Sequence, residues 1–311
     1  MTIIQKDFLD LDLLPKGELE KIIALAHRLK EKPHAYCPMK DKTLALIFEK
    51  PSTRTRVSFE VGMRQLGGNV TTLSGAELQL GRGETIADTG RVLSRYVDII
   101  MIRTFDESTM RQLADGASVP VINALTNQSH PGQVVADLMT AEERLGSLKG
   151  KKVVWFGDGD NNVLTSWMHA APILDFSLTI VCPPEFAPPK ALLSRMQKAG
   201  AAIAVTADMK AGAGAHVVLT DCWVSMHNSD AGVRERILQP FCVDNNVMAR
   251  ADKKAIFMHC LPAHRNEEVT DSVLDGSQSA AWDEAENRLH AHKAILCWCL
   301  GFDPTRAAKA R

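Results

Sequence analysis

The residues best suited to chemistry form one short run that could bind a phosphate group. The run is Ser52-Thr53-Arg54-Thr55-Arg56, which places three hydroxyl groups and two guanidinium groups within five residues. Backbone N–H groups at a helix N-terminus attract anions, and the helix dipole adds to that attraction. One arginine here would favour a capped helix with a solvated charge, whereas alternating hydroxyls and arginines favour anion binding. The run lacks the glycines and the G-K-[ST] ending of a Walker loop, so we predict a phosphate-binding turn of another kind.

Three more polar residues of the first half could act on a carbonyl group. Arg103 closes an apolar run and could hold a phosphate oxygen or polarise a carbonyl, although an exposed ion-pair partner would look the same. His130 and Gln133 stand where a helix is expected to begin, and both could donate hydrogen bonds to a carbonyl or carbamoyl group. Spacing alone supports this role and that of a loop residue or helix cap equally.

The polar runs of the second half could contact a dinucleotide or an amino acid. Gly157-Asp158-Gly159 matches only the start of the GxGxxG fingerprint, which needs a third glycine where the chain has Asn162, so an NAD-linked dehydrogenase is an alternative that the run matches only in part. Asn161-Asn162 instead offers amide groups to an amino-acid backbone. Asp221 ends an apolar run and could cap a helix, form a turn or receive a substrate ammonium group.

The run His259-Cys260-Leu261-Pro262 carries a cysteine whose role is open to three interpretations. A nucleophilic Cys260 would need a His–Asn pairing of the thiol-protease type, which the sequence does not show, so a contact with substrate is favoured. A metal site could be formed by His259, Cys260 and His264, but three ligands without a fourth do not favour structural zinc.

Short β-branched runs alternate with helical stretches along almost the whole chain, as is typical of parallel sheets covered on both faces. The polar clusters follow the strands, and ligands bind beyond the carboxyl ends of strands in open α/β sheets. We therefore predict an α/β fold of two domains, each a parallel sheet flanked by helices, with a cleft between them. The break Gly146-Ser147-Leu148-Lys149-Gly150 places the domains at residues 1–147 and 148–283. The predicted strands are 44–48, 70–73, 99–103, 120–123, 153–156, 178–181, 202–205, 217–220, 256–259 and 280–282.

Helices are predicted between most strands, for example at 86–95, 132–145 and 163–174. The last predicted helix, 284–300, is strongly periodic. Its expected apolar face consists of Leu289, Ile295, Leu296 and Trp298.

Bulk properties exclude several classes of protein. The 311 residues are 45% hydrophobic and suit two full cores, while the formal net charge of -1 favours neither nucleic acid nor a membrane surface. No apolar run is long enough to span a bilayer, and the first 14 residues do not read as a signal peptide. The 7 cysteines are irregularly spaced without a CxxC pair, which indicates a reducing cytoplasm.

Taken in order, these motifs resemble those of the ornithine carbamoyltransferases, a branch of the aspartate/ornithine transcarbamoylase superfamily. The Ser-Thr-Arg-Thr-Arg turn is common to the superfamily, as is the pattern His130-Pro131-x-Gln133. The ornithine branch is indicated by Asp221-x-Trp223-x-Ser225-Met226 and by His259-Cys260-Leu261-Pro262. The resemblance covers essentially the whole chain.

The resemblance implies a carbamoyl phosphate-binding domain (1–147), an ornithine-binding domain (148–283) and a C-terminal helix, about 284–311, that packs back on the first domain. It implies transfer of the carbamoyl group from carbamoyl phosphate to the δ-amine of L-ornithine, giving citrulline and phosphate in arginine biosynthesis. No metal or organic cofactor is expected, and a homotrimer with active sites at subunit interfaces is implied.

The resemblance also assigns roles residue by residue. The side chains expected to take part in catalysis are Arg54, Thr55, Arg103, His130, Asp221 and Cys260. Those expected to bind carbamoyl phosphate are Ser52, Thr53, Arg54, Thr55, Gln79 from a neighbouring subunit, Arg103, His130, Gln133, Cys260, Leu261 and Arg288. Those expected to contact ornithine are Asn162, Asp221, Ser225 and Met226.

Two departures from the family pattern concern the amine site. His227 stands where a glycine usually follows Ser-Met, and the glycine-rich turn carries the extra acid Asp160. The alternatives to ornithine are putrescine and an N-acylated ornithine, and a non-catalytic binding protein of the same fold is a further alternative. Putrescine lacks the α-carboxylate, so a site for it would have less need of Asn162 and the Ser-Met run. The presence of Arg54, Arg103 and His130 favours an enzyme over a binding protein.

Overall fold

A computed structural model describes residues 6–74, 83–224 and 231–303. Gln79, Ser225, Met226 and His227 lie outside the described residues. The chain divides into two compact units. The first unit contains the residues up to Ala136 together with those from Asn287 onward, and the second unit is Asp137–Glu286. The boundary predicted from the break 146–150 lies between residues 147 and 148, C-terminal to this division at Ala136.

The first unit is built on a parallel sheet of four strands in the order β2-β1-β3-β4. The strands are β1 (Thr43–Phe48), β2 (Asn69–Ser74), β3 (Ile99–Arg103) and β4 (Val121–Leu125). Its helices are α1 (Glu18–Glu31), α2 (Thr53–Gln65), α3 (Ile86–Leu93), α4 (Glu107–Gly116), the start of α5 (Pro131–Leu145) and the larger part of α11 (Ala281–Cys299). Because β1 and β3 are buried along nearly their whole length, they read as apolar runs, whereas the equally buried β4 carries Asn123 at its centre.

The second unit is built on a parallel sheet of five strands in the order β7-β6-β5-β8-β9. The strands are β5 (Lys152–Phe156), β6 (Ser177–Val181), β7 (Ala202–Thr206), β8 (Val217–Leu219) and β9 (Ile256–Met258). The helices are α6 (Asn162–Leu174), α7 (Lys190–Lys198), α8 (Ala231–Leu238), α9 (Asn245–Arg250), α10 (Asp271–Leu274) and the start of α11 (Ala281–Cys299). The predicted α/β architecture with two parallel sheets is confirmed.

The prediction of a strand at 280–282 is wrong, because α11 begins at Ala281. Three apolar residues cannot distinguish a strand from the first turn of a helix. The decisive signal is the pair Asp283 and Glu284, whose acidic side chains lie in the first turn of α11 and suit the positive end of the helix dipole. The other nine predicted strands are present with ends shifted by at most two residues.

Helix α11 lacks the simple apolar stripe that its periodicity predicts. Ile295 and Leu296 are fully buried, but Leu289 and Trp298 are only partly buried. Polar and charged side chains of the same helix are buried instead: Glu284, Asn287, Arg288, His290, His292 and Lys293. A helix buried nearly all round can direct polar groups toward other elements of its own unit. Across the described residues, every helix is too short or too polar to traverse a lipid bilayer.

Candidate active site

The phosphate turn lies at the N-terminus of α2, directly after β1, as the sequence predicted. Ser52 is the N-cap, and its Oγ accepts a hydrogen bond from the Thr55 backbone N–H at 3.3 Å. Thr53 is exposed and Arg54 is partly exposed, whereas Thr55 is fully buried. The free N–H groups of this first turn and the hydroxyls beside them can therefore receive an anion.

The two arginines of the turn differ in their partners. Arg56 donates to Glu60 at 3.0 Å, one turn further along α2, so its guanidinium is already paired. The Arg54 guanidinium makes no ion pair with any described residue, and its charge is available to a ligand. Of the two guanidiniums, only that of Arg56 is engaged by a side chain of α2, and binding of an anion by Arg54 stays a prediction.

Two further cations lie beside the turn. Arg103 ends β3, opposite Phe48 of β1, and its carbonyl accepts a hydrogen bond from Glu49 N at 2.9 Å. Lys50 precedes the turn, is buried, donates to Asn127 Oδ1 and lies 4.3 Å from the centre of the Phe105 ring. Burial and the nearby Arg103 charge lower the pKa of Lys50 to about 8. No local signal in the sequence marks Lys50 for this position.

His130 and Arg288 complete the group of side chains in the first unit. His130 precedes α5 and is 4% exposed. Burial, followed by the charges of Arg288 and Arg103, lowers the pKa of His130 well below its ordinary value, so the imidazole is neutral at pH 7. Arg288 of α11 donates from Nη2 to Thr55 Oγ1 at 2.6 Å, and Gln133 of α5 is fully buried. The first unit thus joins an anion-binding turn, two guanidiniums and a neutral imidazole.

In the second unit, Asp221 is the centre of the predicted amine site. Asp221 follows β8, and β8 lies between β5 and β9 in the sheet. Asp221 Oδ2 accepts from Asn161 Nδ2 at 2.9 Å, and Oδ1 accepts from Cys222 N at 2.8 Å and from the Cys260 thiol at 3.1 Å. The residues alone offer the amides of both Asn161 and Asn162, and the resemblance implies Asn162 as the ornithine contact. Asn161 is the N-cap of α6, so it orients Asp221, while Asn162 begins the helix.

Cys260 is a hydrogen-bond donor rather than a nucleophile. Burial and the adjacent Asp221 carboxylate raise its thiol pKa well above the ordinary value. A thiol that stays protonated at pH 7 is a poor nucleophile, since the thiolate is the reactive form. The pKa disfavours a nucleophilic Cys260, and its contact with substrate stays a prediction.

The turn that carries Cys260 and Leu261 is held by polar groups buried beneath it. Leu261 has φ +57, in the region that non-glycine residues seldom adopt, and its N–H donates to His259 Nδ1 at 2.9 Å. His259 Nε2 lies 3.1 Å from Glu268 Oε1, and both side chains are fully buried. The Cys222 thiol reaches Pro262 O at 2.8 Å from the opposite side.

Glu284 supports the same turn through the backbone of His259, whose N–H donates to Glu284 Oε2 at 2.9 Å. Burial, and then the charge and hydrogen bond of Asp137, raise the pKa of Glu284 well above its ordinary value. Trp167 Nε1 donates to Asp137 Oδ2 at 3.0 Å. Glu284 therefore carries the proton of a buried carboxyl pair. No local motif marks this role in the sequence.

The glycines of the run 157–159 have packing reasons of their own. Gly157 has φ +105, and a Cβ there would lie 2.9 Å from Trp223 Nε1. A Cβ at Gly159 would lie 2.4 Å from Phe186 O. The exposed extra residue Asp160 donates its N–H to Asp158 Oδ1 at 3.0 Å. These contacts account for the glycines without a dinucleotide.

Comparison with known proteins decides the family. The description "Aspartate/ornithine carbamoyltransferase, carbamoyl-P binding domain" matches residues 6–143, and "Aspartate/ornithine carbamoyltransferase, Asp/Orn binding domain" matches residues 149–299. The chain belongs to the aspartate/ornithine carbamoyltransferase family. Within this family it is 56% identical to the ornithine carbamoyltransferase of Rhodopseudomonas palustris over 301 residues, which cover 95% of the chain and 97% of that protein.

Solved structures of carbamoyltransferases share the fold. The ornithine carbamoyltransferase from Pyrococcus furiosus is similar with a TM-score of 0.91 and 43% identity, over 97% of this chain and 100% of that one. An acetylornithine transcarbamylase complexed with acetylcitrulline is similar with a TM-score of 0.86 and 31% identity, over 96% of this chain and 100% of that one. The family resemblance inferred from the motifs is thereby confirmed.

Proposed function

We propose that this carbamoyltransferase transfers the carbamoyl group of carbamoyl phosphate to the δ-amine of L-ornithine, producing L-citrulline and phosphate. The observation that carries the proposal is the buried, neutral His130 flanked by Arg103 and Arg288 in the unit that holds the phosphate turn. A neutral imidazole can donate a hydrogen bond to the carbamoyl oxygen, while the guanidiniums supply positive charge.

The chemistry follows from these groups. The neutral δ-amine attacks the carbamoyl carbon, a C–N bond forms, and the carbonyl oxygen becomes a tetrahedral oxyanion. His130 and Arg103 stabilise that charge, and removal of one such donor typically costs about 3 to 4 kcal/mol in the barrier. The C–O bond to phosphate then breaks, and Arg54 with the N-terminus of α2 neutralises the leaving group. The amine proton passes to the departing phosphate, and citrulline forms without a covalent enzyme intermediate.

Asp221 and Cys260 position the amine in this proposal. The carboxylate is oriented by Asn161 and by the Cys260 thiol, so its charge has a defined direction. A cationic amino acid offers an ammonium group to such a carboxylate. We infer that Asn162, Ser225 and Met226 contact the remainder of ornithine, as the family resemblance implies.

We further propose a homotrimer in which Gln79 of each subunit contributes to a neighbouring site, and a place in arginine biosynthesis in the cytoplasm. Support for a reducing compartment comes from the cysteines, since all seven are free thiols. The proposed chemistry requires no metal or organic cofactor, because side chains stabilise the negative charge of both the leaving group and the oxyanion.

The decisive experiment is a citrulline assay with carbamoyl phosphate and a panel of amines: L-ornithine, N-acetylornithine, putrescine and L-aspartate. We expect turnover with L-ornithine at a kcat/KM at least about a hundredfold above that of the others, since loss of a charged contact is worth several kcal/mol. A preference for N-acetylornithine would favour the substrate of the acetylornithine transcarbamylase that shares the fold. No transfer to any amine would leave a binding protein as the better interpretation.

A further inference from the structure

Two side chains without an assigned role, Ser58 of α2 and His292 of α11, lie directly behind the phosphate turn in the first unit. Ser58 Oγ is 2.7 Å from Arg54 O, 3.1 Å from Thr55 O and 2.8 Å from His292 Nδ1. The hydroxyl has one hydrogen, and the two carbonyl oxygens can only accept. Ser58 therefore donates to the backbone carbonyls and accepts a hydrogen bond from His292.

The state of His292 agrees with this direction. The ring is 1% exposed and stacks on Phe59, with ring centres 3.9 Å apart and an angle of 13° between the planes. Burial and the charge of Arg288 lower the pKa of His292 well below its ordinary value, so the ring is neutral and carries one N–H. If that hydrogen were on Nε2, Ser58 would have to donate to His292. Its oxygen would then face Arg54 O at 2.7 Å without a proton between them.

We propose that His292 and Ser58 form a hydrogen-bond relay that strengthens the phosphate turn, with the order His292 Nδ1–H, Ser58 Oγ, Arg54 C=O. The peptide group of that carbonyl also carries the Thr55 N–H, which lies in the first turn of α2 and donates to Ser52 Oγ. A hydrogen bond accepted at the carbonyl polarises the amide and strengthens the hydrogen bond that its N–H donates to Ser52 Oγ, which fixes the cap of the turn. His292 and Ser58 are therefore positioning residues for carbamoyl phosphate, and this role rests on the proposed function.

The structure also shows why the relay is rigid. Arg288 and His292 lie one turn apart on α11 and contact Thr55 and Ser58 of α2. Gly132 faces the other nitrogen, since a Cβ at that position would lie 3.3 Å from His292 Nε2. The ring is thus confined by α2 on one side and by the start of α5 on the other.

The first test reads the tautomer directly. Long-range ¹H–¹⁵N correlation spectra of protein labelled at histidine report which ring nitrogen carries the hydrogen, and the signal is assigned by its disappearance in His292→Asn. We expect the Nδ1–H tautomer. An Nε2–H tautomer would reverse the direction of the Ser58 contact and overturn the relay.

The second test measures binding of carbamoyl phosphate by calorimetry. Ser58→Ala and His292→Gln should each raise the Kd about three- to tenfold, the range of one neutral hydrogen bond. His292→Asn places an amide N–H near the position of Nδ1 and should restore binding to within about twofold of wild type. The matched control is His216→Gln in the second unit, whose ring accepts from Lys152 N at 3.1 Å and which should bind as wild type does.

The outcomes separate the relay from the proposed function. If wild type binds and both Ser58→Ala and His292→Gln bind equally well, the relay is overturned even if their melting temperatures fall, because the contacts then serve packing alone. If wild type binds no carbamoyl phosphate, the proposed function fails, and with it the assigned purpose of the relay. Weaker binding in both variants with rescue by His292→Asn supports the relay.

Discussion

The Asp221 carboxylate accepts a hydrogen bond from the Cys260 thiol at 3.1 Å, and this contact joins the ends of two neighbouring strands, β8 and β9. The same carboxylate keeps the thiol protonated, because its negative charge adds to burial in raising the pKa of Cys260. The pair therefore presents one oriented negative charge rather than a nucleophile.

We predict that Asp221→Asn impairs the use of ornithine far more than the binding of carbamoyl phosphate. The substitution removes the charge that receives an ammonium group while retaining a similar shape. Steady-state kinetics should show a loss of kcat/KM for ornithine of at least about a hundredfold, the range expected for a charged hydrogen bond with reacting groups. Cys260→Ser keeps a donor to Asp221 and should be milder than Cys260→Ala. Loss of carbamoyl phosphate binding with intact ornithine use would contradict this assignment.

Arg54 and Arg56 form a matched pair for testing the phosphate turn. Arg54→Ala should raise the KM for carbamoyl phosphate steeply, because its guanidinium has no ion-pair partner among the described residues and is available to the phosphate. Arg56→Ala loses an exposed ion pair with Glu60, which is worth at most about 1 kcal/mol. The two variants should have similar melting temperatures and very different kinetics. Equal kinetics for both would show that Arg54 does not bind the phosphate.

Glu284 is expected to tolerate an amide but not truncation. Because the raised pKa keeps its carboxyl protonated at pH 7, Glu284→Gln retains both the neutral charge and an acceptor for the His259 N–H. Glu284→Ala leaves that buried N–H without a partner, which costs about 1 to 3 kcal/mol. Urea unfolding and the KM for ornithine should both single out the alanine variant. A glutamine variant as damaged as the alanine variant would mean that the carboxyl is ionised.

Lys293 should make the free energy of unfolding change with pH in the alkaline range. Its ammonium group is buried, with Leu29 O at 3.3 Å and Gln65 Oε1 at 3.0 Å, and burial lowers its pKa from 10.5 to about 8. The folded state therefore binds fewer protons than the unfolded state between these values, and the free energy of unfolding rises with pH across that window. The shift corresponds to at most about 3 kcal/mol.

The measurement compares wild type with Lys293→Met by urea unfolding at about pH 7 and about pH 10. As the pH rises, the unfolding free energy of wild type should increase relative to that of Lys293→Met. Lys50, whose pKa is also lowered to about 8, titrates in both proteins and cancels in the difference. A difference that is constant with pH would show that the pKa of Lys293 is not lowered in the folded protein.

The proposed sharing of sites between subunits predicts complementation. Gln79→Ala and Arg54→Ala should each be inactive alone, yet mixing them under exchange conditions should restore activity. In a closed ring, some interfaces then pair an intact Gln79 with an intact Arg54. If verified mixed oligomers stay inactive, or if the protein is monomeric at assay concentration, the shared site is disproved.

The sequence by itself determined the alternation of strands and helices and the position of the phosphate turn. Both are local properties. Buried parallel strands read as apolar runs, and both Ser52 and Thr53 could cap a helix that starts at this turn, of which the structure uses Ser52. Local patterning also placed Asp221 and Cys260 at strand ends. It failed at 280–282, where three apolar residues fit a strand as well as the start of α11.

Only the tertiary structure decided which polar groups meet and in which protonation state. Ser58 and His292 lie 234 positions apart in the chain, Thr55 and Arg288 lie 233 positions apart, and no spacing rule connects either pair. The neutrality of His130, the proton on Glu284 and the protonated thiol of Cys260 all arise from burial and from neighbouring charges. Those two causes depend on three-dimensional packing, because burial and charge separation are properties of the folded chain rather than of any local segment.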